Sequence, residues 1–590
     1  MSLIKIEKKP GSTLKYAVFI PFIIIVFVIP IVTLHIHVTH NEEMRQVFIK
    51  TQGYDDYFHL VKVLFLYLSV LLLFAVFLIK KNNEALFPRV FLFFIPYCVL
   101  TIFSMYFSNY RISAVFGIID HYEGGLTQLS YCFIAVFSYY LISVEKDIIT
   151  IIKFMLTASV AVAAAGIFQY VGILPVELPY TVSSLIGNSN YVGTYAVLLL
   201  PNALALLLLE TGYIKRLVQI LVYIGSAVFL LFGSMSRTGY IGFIVIILLF
   251  TVFLRKEILK NYRWFLVAAV YAGIIFVLMN AVSKGLLIDE WRSINPFSAE
   301  RHDSRLRFED IRLTDTEAVI KTNRWFLEIQ NRGDGFNFFN EYGEPVLYEK
   351  NPGDEIIQFV NEPYSNIMGL TKRREDFEWL ILNMEGKDIE FVKTDEYFKI
   401  VGYNGLVTDI EPVESFGFEG LESFASGRGY IWSRALPLLK NSIWIGYGPD
   451  TFTYFFPQND IVGKLNYGAI WIIIGKPHNW YLQTALGSGI LSLLLILSIL
   501  MFYMVKATKF LLKADKSGLL YEGEFIHKHS NTKIICCGIL LSVTGYCITG
   551  LFNDSVVAVS PIFWMLLGFG LRIVVTGFDS ALSMVSTDHI

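Results

Sequence analysis

Long apolar runs, each about 17–25 residues, recur along most of this chain and constrain its fold more than any other feature. A helix rises about 1.5 Å per residue, so each run is long enough to cross a hydrocarbon core of roughly 30 Å. The helix is also the form that bonds every backbone polar group where no water is available. The runs fall at about 15–37, 58–79, 88–108, 126–143, 148–171, 191–209, 217–233, 239–254, 264–283, 480–504, 534–552 and 560–577. They predict a mainly α, polytopic membrane protein with about twelve transmembrane helices. Composition agrees: 17% of residues are charged, whereas a soluble domain carries roughly a quarter. A net charge of −2 gives no sign of nucleic-acid binding.

Orientation follows from the Lys/Arg bias of the short connections. Lys5, Lys8, Lys9 and Lys15 precede the first run. Lys80, Lys81 and Arg89, then Lys215 and Arg216, then Arg255, Lys256, Lys260 and Arg263, then Lys506, Lys509, Lys513 and Lys516 mark further basic connections. The connection at Glu145–Asp147 is nearly neutral. This pattern predicts cytoplasmic N- and C-termini and an uncleaved first span.

The same topology puts residues 284–477 outside, between a membrane domain at 1–283 and another at 478–590. Within that loop, about 296–412 is charged and alternates with period two. Arg305-Leu306-Arg307-Phe308-Glu309 and Asp388-Ile389-Glu390-Phe391-Val392-Lys393 are examples. Turn signals at Asn331-Arg332-Gly333-Asp334-Gly335, Glu341-Tyr342-Gly343, Asn351-Pro352-Gly353 and Tyr403-Asn404-Gly405 separate the runs. The reading is an antiparallel β module. Residues 413–477 turn helical, with Ile431, Ala435, Leu438 and Leu439 at spacings of three and four. All five cysteines lie in predicted spans, so the outer loop is expected to hold together by packing rather than disulfides.

Five polar motifs fall on the outer side: Gly187-Asn188-Ser189-Asn190, Ser234-Met235-Ser236-Arg237-Thr238-Gly239, Ser426-Gly427-Arg428-Gly429, Gly446-Tyr447-Gly448-Pro449-Asp450 and Lys476-Pro477-His478-Asn479-Trp480. Each also has an ordinary structural reading. Arg237 could form a boundary salt bridge, Asp450 could cap the next helix, and Asn188 and Asn190 could serve a tight loop. Taken together, two or three Arg side chains with one His suit a lipid-linked pyrophosphate. Guanidinium forks grip phosphate oxygens, and an imidazole can accept a hydroxyl proton.

Ser426-Gly427-Arg428, Trp432, Gly446-Tyr447-Gly448, His478-Asn479 and Gly489 resemble the motif set of the O-antigen ligase and polymerase superfamily of bacterial membrane glycosyltransferases. Ser234-x-Ser236-Arg237-x-Gly239 and Gly187-Asn188-x-Asn190 match as well, and the likeness spans about residues 90–575. Ser492 departs from the ligase pattern three residues after Gly489, and the β-rich block looks like an insertion. The resemblance implies a GT-C-like, metal-free enzyme without cofactor in a bacterial cytoplasmic membrane. It would pass a glycan from undecaprenyl pyrophosphate to an acceptor glycan, lipid or protein. It casts Arg237 and Arg428 as pyrophosphate ligands and His478 as the group that orients or deprotonates the acceptor. Arg434, Arg111, Asn188, Asn190, Asn479 and Asp450 become further substrate contacts. Ligase and polymerase stay open alternatives. A flippase fits less well, because the spans read as nearly charge-free, and a sensor with a membrane anchor would not need twelve spans.

Overall fold

A computed structural model describes residues 16–80, 88–175, 178–292, 306–331, 335–350, 355–374, 377–393, 397–410, 412–517 and 524–576. The lysines at 5, 8, 9, 15 and 81, and the turn signals at 332–334 and 351–353, lie outside these residues.

A helix stands at each predicted apolar run. Eight are long and apolar enough to cross a membrane: His59–Lys80, Arg89–Phe107, Glu145–Tyr170, Ser189–Leu209, Tyr213–Gly233, Tyr262–Val282, Ile490–Lys513 and Asn531–Thr549. Phe19–Ile31, Arg237–Phe253 and Ser560–Thr576 are shorter apolar helices, and Gly125–Leu141 fills the remaining position. Ser189–Leu209 and Asn531–Thr549 form the centre, with 94% and 89% of their apolar windows buried. They approach closely because small residues face each other. A side chain on Gly545 would strike Val197 at 2.5 Å, and one on Gly538 would meet Ala205 at 3.0 Å. Asn202 Nδ2 donates to Ser542 Oγ across the same seam at 2.7 Å. Tyr262–Val282, only 11% buried, lies at the rim where an apolar surface suits lipid.

Three readings of the spans need correction. The first helix stops at Ile31, and a hairpin of β1 (Ile36–Thr39) and β2 (Gly53–Asp56) follows where the apolar run pointed to continued helix. The tenth run is two helices, Trp480–Ser488 and Ile490–Ser517, broken at Gly489 with φ +104°. Hydropathy registers both pieces as apolar and carries no trace of the break. The bundle is also not nearly charge-free. Lys62 is buried and donates to the carbonyls of Ile29 (2.9 Å), Pro30 (3.4 Å) and Val32 (2.9 Å). It thereby satisfies acceptors that a helix end leaves over. Arg572 is buried as well, with its guanidinium over the Tyr139 ring.

The β block is two antiparallel meanders. Strands β3 (Phe308–Leu313), β4 (Glu317–Thr322), β5 (Phe326–Asn331) and β6 (Phe336–Phe339) pair in order. The second sheet has seven strands in chain order: β7 (Tyr348–Glu349), β8 (Ile356–Phe359), β9 (Ile367–Arg374), β10 (Phe377–Met384), β11 (Lys387–Lys393), β12 (Phe398–Val401) and β13 (Val407–Thr408). Period-two alternation sets the inner faces: Ala318 and Ile320, Leu327 and Ile329, Leu380 and Leu382, Ile389 and Phe391 are all buried. The apolar core does not end at the block. Ile461, Leu465 and Ile470, from the helical part of the loop, belong to it. Asn466 clamps Phe308 in both directions, donating to its carbonyl at 2.8 Å and accepting from its N–H at 2.9 Å.

Candidate active site

The helix ends sort into two sets that agree with alternating spans. On one side, Lys80 Nζ donates to the Leu141 carbonyl at 2.6 Å, Thr532 Oγ1 to Glu145 Oε2 at 3.1 Å, and Lys533 Nζ to Glu257 Oε1 at 2.8 Å. On the other side the polar motifs meet.

They meet on a short turn that the sequence reading passed over, Gly550-Leu551-Phe552-Asn553-Asp554-Ser555, between Glu524–Thr549 and Ser560–Thr576. Trp480 N–H reaches the carbonyls of Gly550 and Asn553, each at 2.9 Å. Asn479 Nδ2 donates to the Leu551 carbonyl at 2.9 Å, and Arg428 Nε to the Phe552 carbonyl at 2.8 Å. Asn553 Nδ2 serves Thr194 Oγ1 (2.9 Å), Thr238 Oγ1 (3.2 Å) and the Asn190 carbonyl (3.3 Å). Ser555 N–H donates to Gln483 Oε1 at 2.8 Å. The turn thus touches four of the five motifs.

Its central side chain is Asp554, whose carboxylate is wholly buried. Asp554 Oδ2 pairs with His478 Nδ1 at 2.9 Å, and Oδ1 accepts the Asn479 N–H at 3.1 Å. Burial alone would raise this carboxyl, but His478, Lys476 and His121 hold it below the ordinary carboxylate range. An Nδ1–H bonded to a buried carboxylate leaves Nε2 as the acceptor on the open edge of the ring. The His478 side chain is 43% exposed, so that edge is reachable. Its backbone sits at φ +50°, a conformation costly for a non-glycine residue.

Arg428 owes its place to glycines. Ala425, Ser426 and Gly427 are left-handed, at φ 50°, 63° and 89°, so the regular helix begins at Arg428 itself. A side chain on Gly427 would overlap Tyr467 at 2.3 Å, and one on Gly429 the Leu421 carbonyl at 2.1 Å. Besides the Phe552 bond, Arg428 Nη1 donates to the Ala425 carbonyl at 2.8 Å. Burial lowers the guanidinium pKa, Asp554 opposes that, and Arg237 is close enough to lower it further. An arginine guanidinium stays charged in a protein.

Arg237 opens the helix Arg237–Phe253 and is ion-paired: Nε lies 2.6 Å from Glu290 Oε1. The boundary salt bridge is therefore what the structure shows for that arginine, within electrostatic reach of Arg428. Lys476 opens the last of the five motifs. It is buried, with Nζ over the Tyr191 ring and 3.4 Å from its hydroxyl. Burial works against its charge, but Tyr191 and the carboxylates of Asp554, Asp120 and Asp450 hold the amine above its ordinary value.

The second-tier residues divide. Asn479 caps the helix Trp480–Ser488 by accepting from Leu482 N–H at 2.9 Å. Asn188 caps Ser189–Leu209, with its Oδ1 taking the Asn190 N–H at 2.9 Å, while the Asn190 carbonyl joins the Asn553 network. Asp450 does not cap the following helix. Its Oδ2 accepts from Ile118 N–H (2.9 Å) and Glu123 N–H (3.2 Å), and its Oδ1 meets His121 Nδ1 at 3.1 Å. It fastens the 117–124 loop to the site. Arg434 is bound to Asp460 at 2.8 Å and stacked over Tyr430, a structural pairing. Arg111 lies exposed, over the Tyr106 ring. Two small cavities that share Asp450 and Gln483 adjoin this region, one touching Lys476 and Tyr447, the other Glu123 and Thr484.

Residues 379–497 match the family described as O-antigen ligase. The matched stretch holds Arg428, Arg434, Asp450, His478 and Asn479, and it supports the O-antigen ligase and polymerase family for this chain. Members of that family are membrane glycosyltransferase-like enzymes. The match opens within β10, so the last strands of the β block fall inside it. No curated protein and no solved structure matches the chain.

Proposed function

We propose that this chain transfers a glycan from an undecaprenyl-pyrophosphate carrier to an acceptor hydroxyl at the outer face of the bacterial cytoplasmic membrane, as one step of surface-polysaccharide assembly. The observation that carries the proposal is the pair of His478 and buried Asp554, with Arg428 anchored two residues away at Phe552.

In this reaction the acceptor oxygen attacks the anomeric carbon, and the bond from that carbon to the pyrophosphate oxygen breaks. The acceptor proton passes to His478 Nε2. Asp554 fixes the tautomer and steadies the imidazolium that forms. The leaving pyrophosphate takes the electron pair, and the cations of Arg428, Arg237 and Lys476 offset its added charge. Arg237 would exchange part of its bond to Glu290 for phosphate oxygens. The basic connections of the sequence support a reading in which the His478 side faces outward. The β block, joined by its core to the helix Ile461–Tyr467, would contribute to acceptor choice.

The test is a transfer assay with purified protein and a polyprenyl-pyrophosphate-linked glycan. His478→Ala, Asp554→Asn and Arg428→Ala are each expected to lower turnover by about 10²-fold or more. Retention of full turnover by correctly folded His478→Ala and Asp554→Asn would overturn the assignment.

A further inference from the structure

Asp56, His59 and Asp120 bring one ligand atom each to within 4.8 Å of one another. They come from three places: the end of β2, the first residue of the helix His59–Lys80, and the 117–124 loop. Asp56 Oδ1 is fully engaged, accepting the N–H groups of Phe58 (3.0 Å), His59 (2.9 Å) and Leu60 (3.2 Å). Its other oxygen is buried and has no hydrogen-bond partner.

The same holds for both ring nitrogens of His59, a residue 6% exposed. Nδ1 stands 3.1 Å from Asp120 Oδ1 but off the line of a hydrogen bond. Leaving buried polar atoms unsatisfied is costly. One carboxylate oxygen of Asp56 and one nitrogen of His59, both buried residues, lying beside a second carboxylate form an arrangement that a cation resolves.

We propose that Asp56, His59 and Asp120 bind one divalent transition-metal ion of the zinc or manganese class. One imidazole with two carboxylates, and no thiolate, selects that class over magnesium or calcium, which favour all-oxygen shells. Three protein ligands leave a coordination position open. The Asp120 side chain is 44% exposed, so the site opens to solvent on that side.

The ion would do structural work near the candidate active site. Asp120 and Tyr122 hold left-handed backbone, at φ 73° and 52°. The residue between them, His121, meets Asp450, which also takes the N–H groups of Ile118 and Glu123. A cation at Asp120 therefore ties this strained loop to the β1–β2 hairpin and to the helix His59–Lys80. The family resemblance implies a metal-free reaction, and an ion with a structural role takes no part in that chemistry. The pair here is Asp56-x-x-His59, and its third ligand is 61 residues away in sequence.

The experiment uses the full chain in detergent, purified without a polyhistidine tag and stripped with a chelator. Zinc chloride, manganese chloride or magnesium chloride is then added alone. Bound metal after desalting is measured by elemental analysis, and the unfolding temperature is followed. The expected result is one equivalent of zinc or manganese per chain and a rise in unfolding temperature. Asp120→Asn, and Asp56→Asn, which keeps the capping oxygen, should each lose the metal and the rise, binding at least tenfold more weakly. The exposed His35, His37 and Asp55 cluster is the control, and His35→Ala with His37→Ala should retain both effects. No retained zinc or manganese, stabilisation by magnesium alone, retention in both Asp variants, or loss only with His35 and His37 would each overturn the proposal. None of these readouts depends on glycan transfer.

Discussion

At the scale of single residues, strain and burial gather in one place. His478, Asp450, Asp120, Tyr122 and Ser426 all hold left-handed backbone without being glycine, and all lie in the motifs or loops around Asp554. Such conformations cost about 1–3 kcal/mol each and persist only where surrounding bonds over-determine them. Glu123 adds a buried acid to this set. It accepts from Tyr131 Oη at 2.6 Å and from Gln128 Nε2 at 3.0 Å. Burial outweighs the Tyr131 and Ser555 hydroxyls and, with Asp450 adding to it, pushes the carboxyl up to about 8. The folded state then holds a proton that the unfolded state releases above about 4.5. Stability contributed by this group is therefore full below that pH and falls as pH rises towards 8, by about 1.4 kcal/mol per pH unit. Glu123→Gln should remove that slope. Unfolding temperatures of the two proteins from pH 5 to 8 would check it, and parallel profiles would count against a neutral Glu123.

At the scale of elements, the break at Gly489 decides where His478 sits. A continuous helix from 480 to 504 would point Trp480–Ser488 along the span. The break instead lets Trp480 N–H meet the Gly550 and Asn553 carbonyls. A side chain at 489 would lie 2.7 Å from the Trp444 carbonyl, at a φ that L residues rarely adopt. Gly489→Ala should therefore cost about 1–3 kcal/mol and loosen the short helix. A lower unfolding temperature together with reduced transfer is the expected outcome. An unchanged unfolding temperature would mean that the break relaxes freely. The seam between Ser189–Leu209 and Arg237–Phe253 obeys the same rule, since a side chain on Gly193 would meet Ser236 at 2.6 Å.

At the scale of the molecule, the β block and the helical segment that follows it are one packed unit. Leu465 is fully buried in the core it shares with both sheets. Lys387 Nζ donates to the Leu465 carbonyl, binding the second sheet to the same helix. Excising 296–412 would strip Ile461, Leu465 and Ile470 of their cover, so that deletion is not a clean test of acceptor choice. A better probe is Leu465→Ala, expected to cost about 2–5 kcal/mol locally. Limited proteolysis of the intact membrane protein should then cut the β block faster while the membrane helices stay protected. Equal cutting rates would show that the block stands alone.

The apolar helices and the β block were legible in the sequence because each depends on a local pattern. A hydrocarbon core demands a fixed length of apolar helix, and a sheet packed on one face demands alternation. Arg428, Arg237 and His478 were legible as motifs, since glycines beside an arginine and a histidine at a span end are unusual in a row. Asp554 was not legible. It lies in a six-residue turn between two spans, with the composition of any short polar connection. Its weight comes from being buried beside residues 76, 78 and 433 positions away, namely His478, Lys476 and His121. The pairing of Arg434 with Asp460, the place of Arg111 over the Tyr106 ring and the convergence of Asp56, His59 and Asp120 were likewise decided by packing alone. Pairing energies act across space between side chains whose separation along the chain leaves no periodic trace.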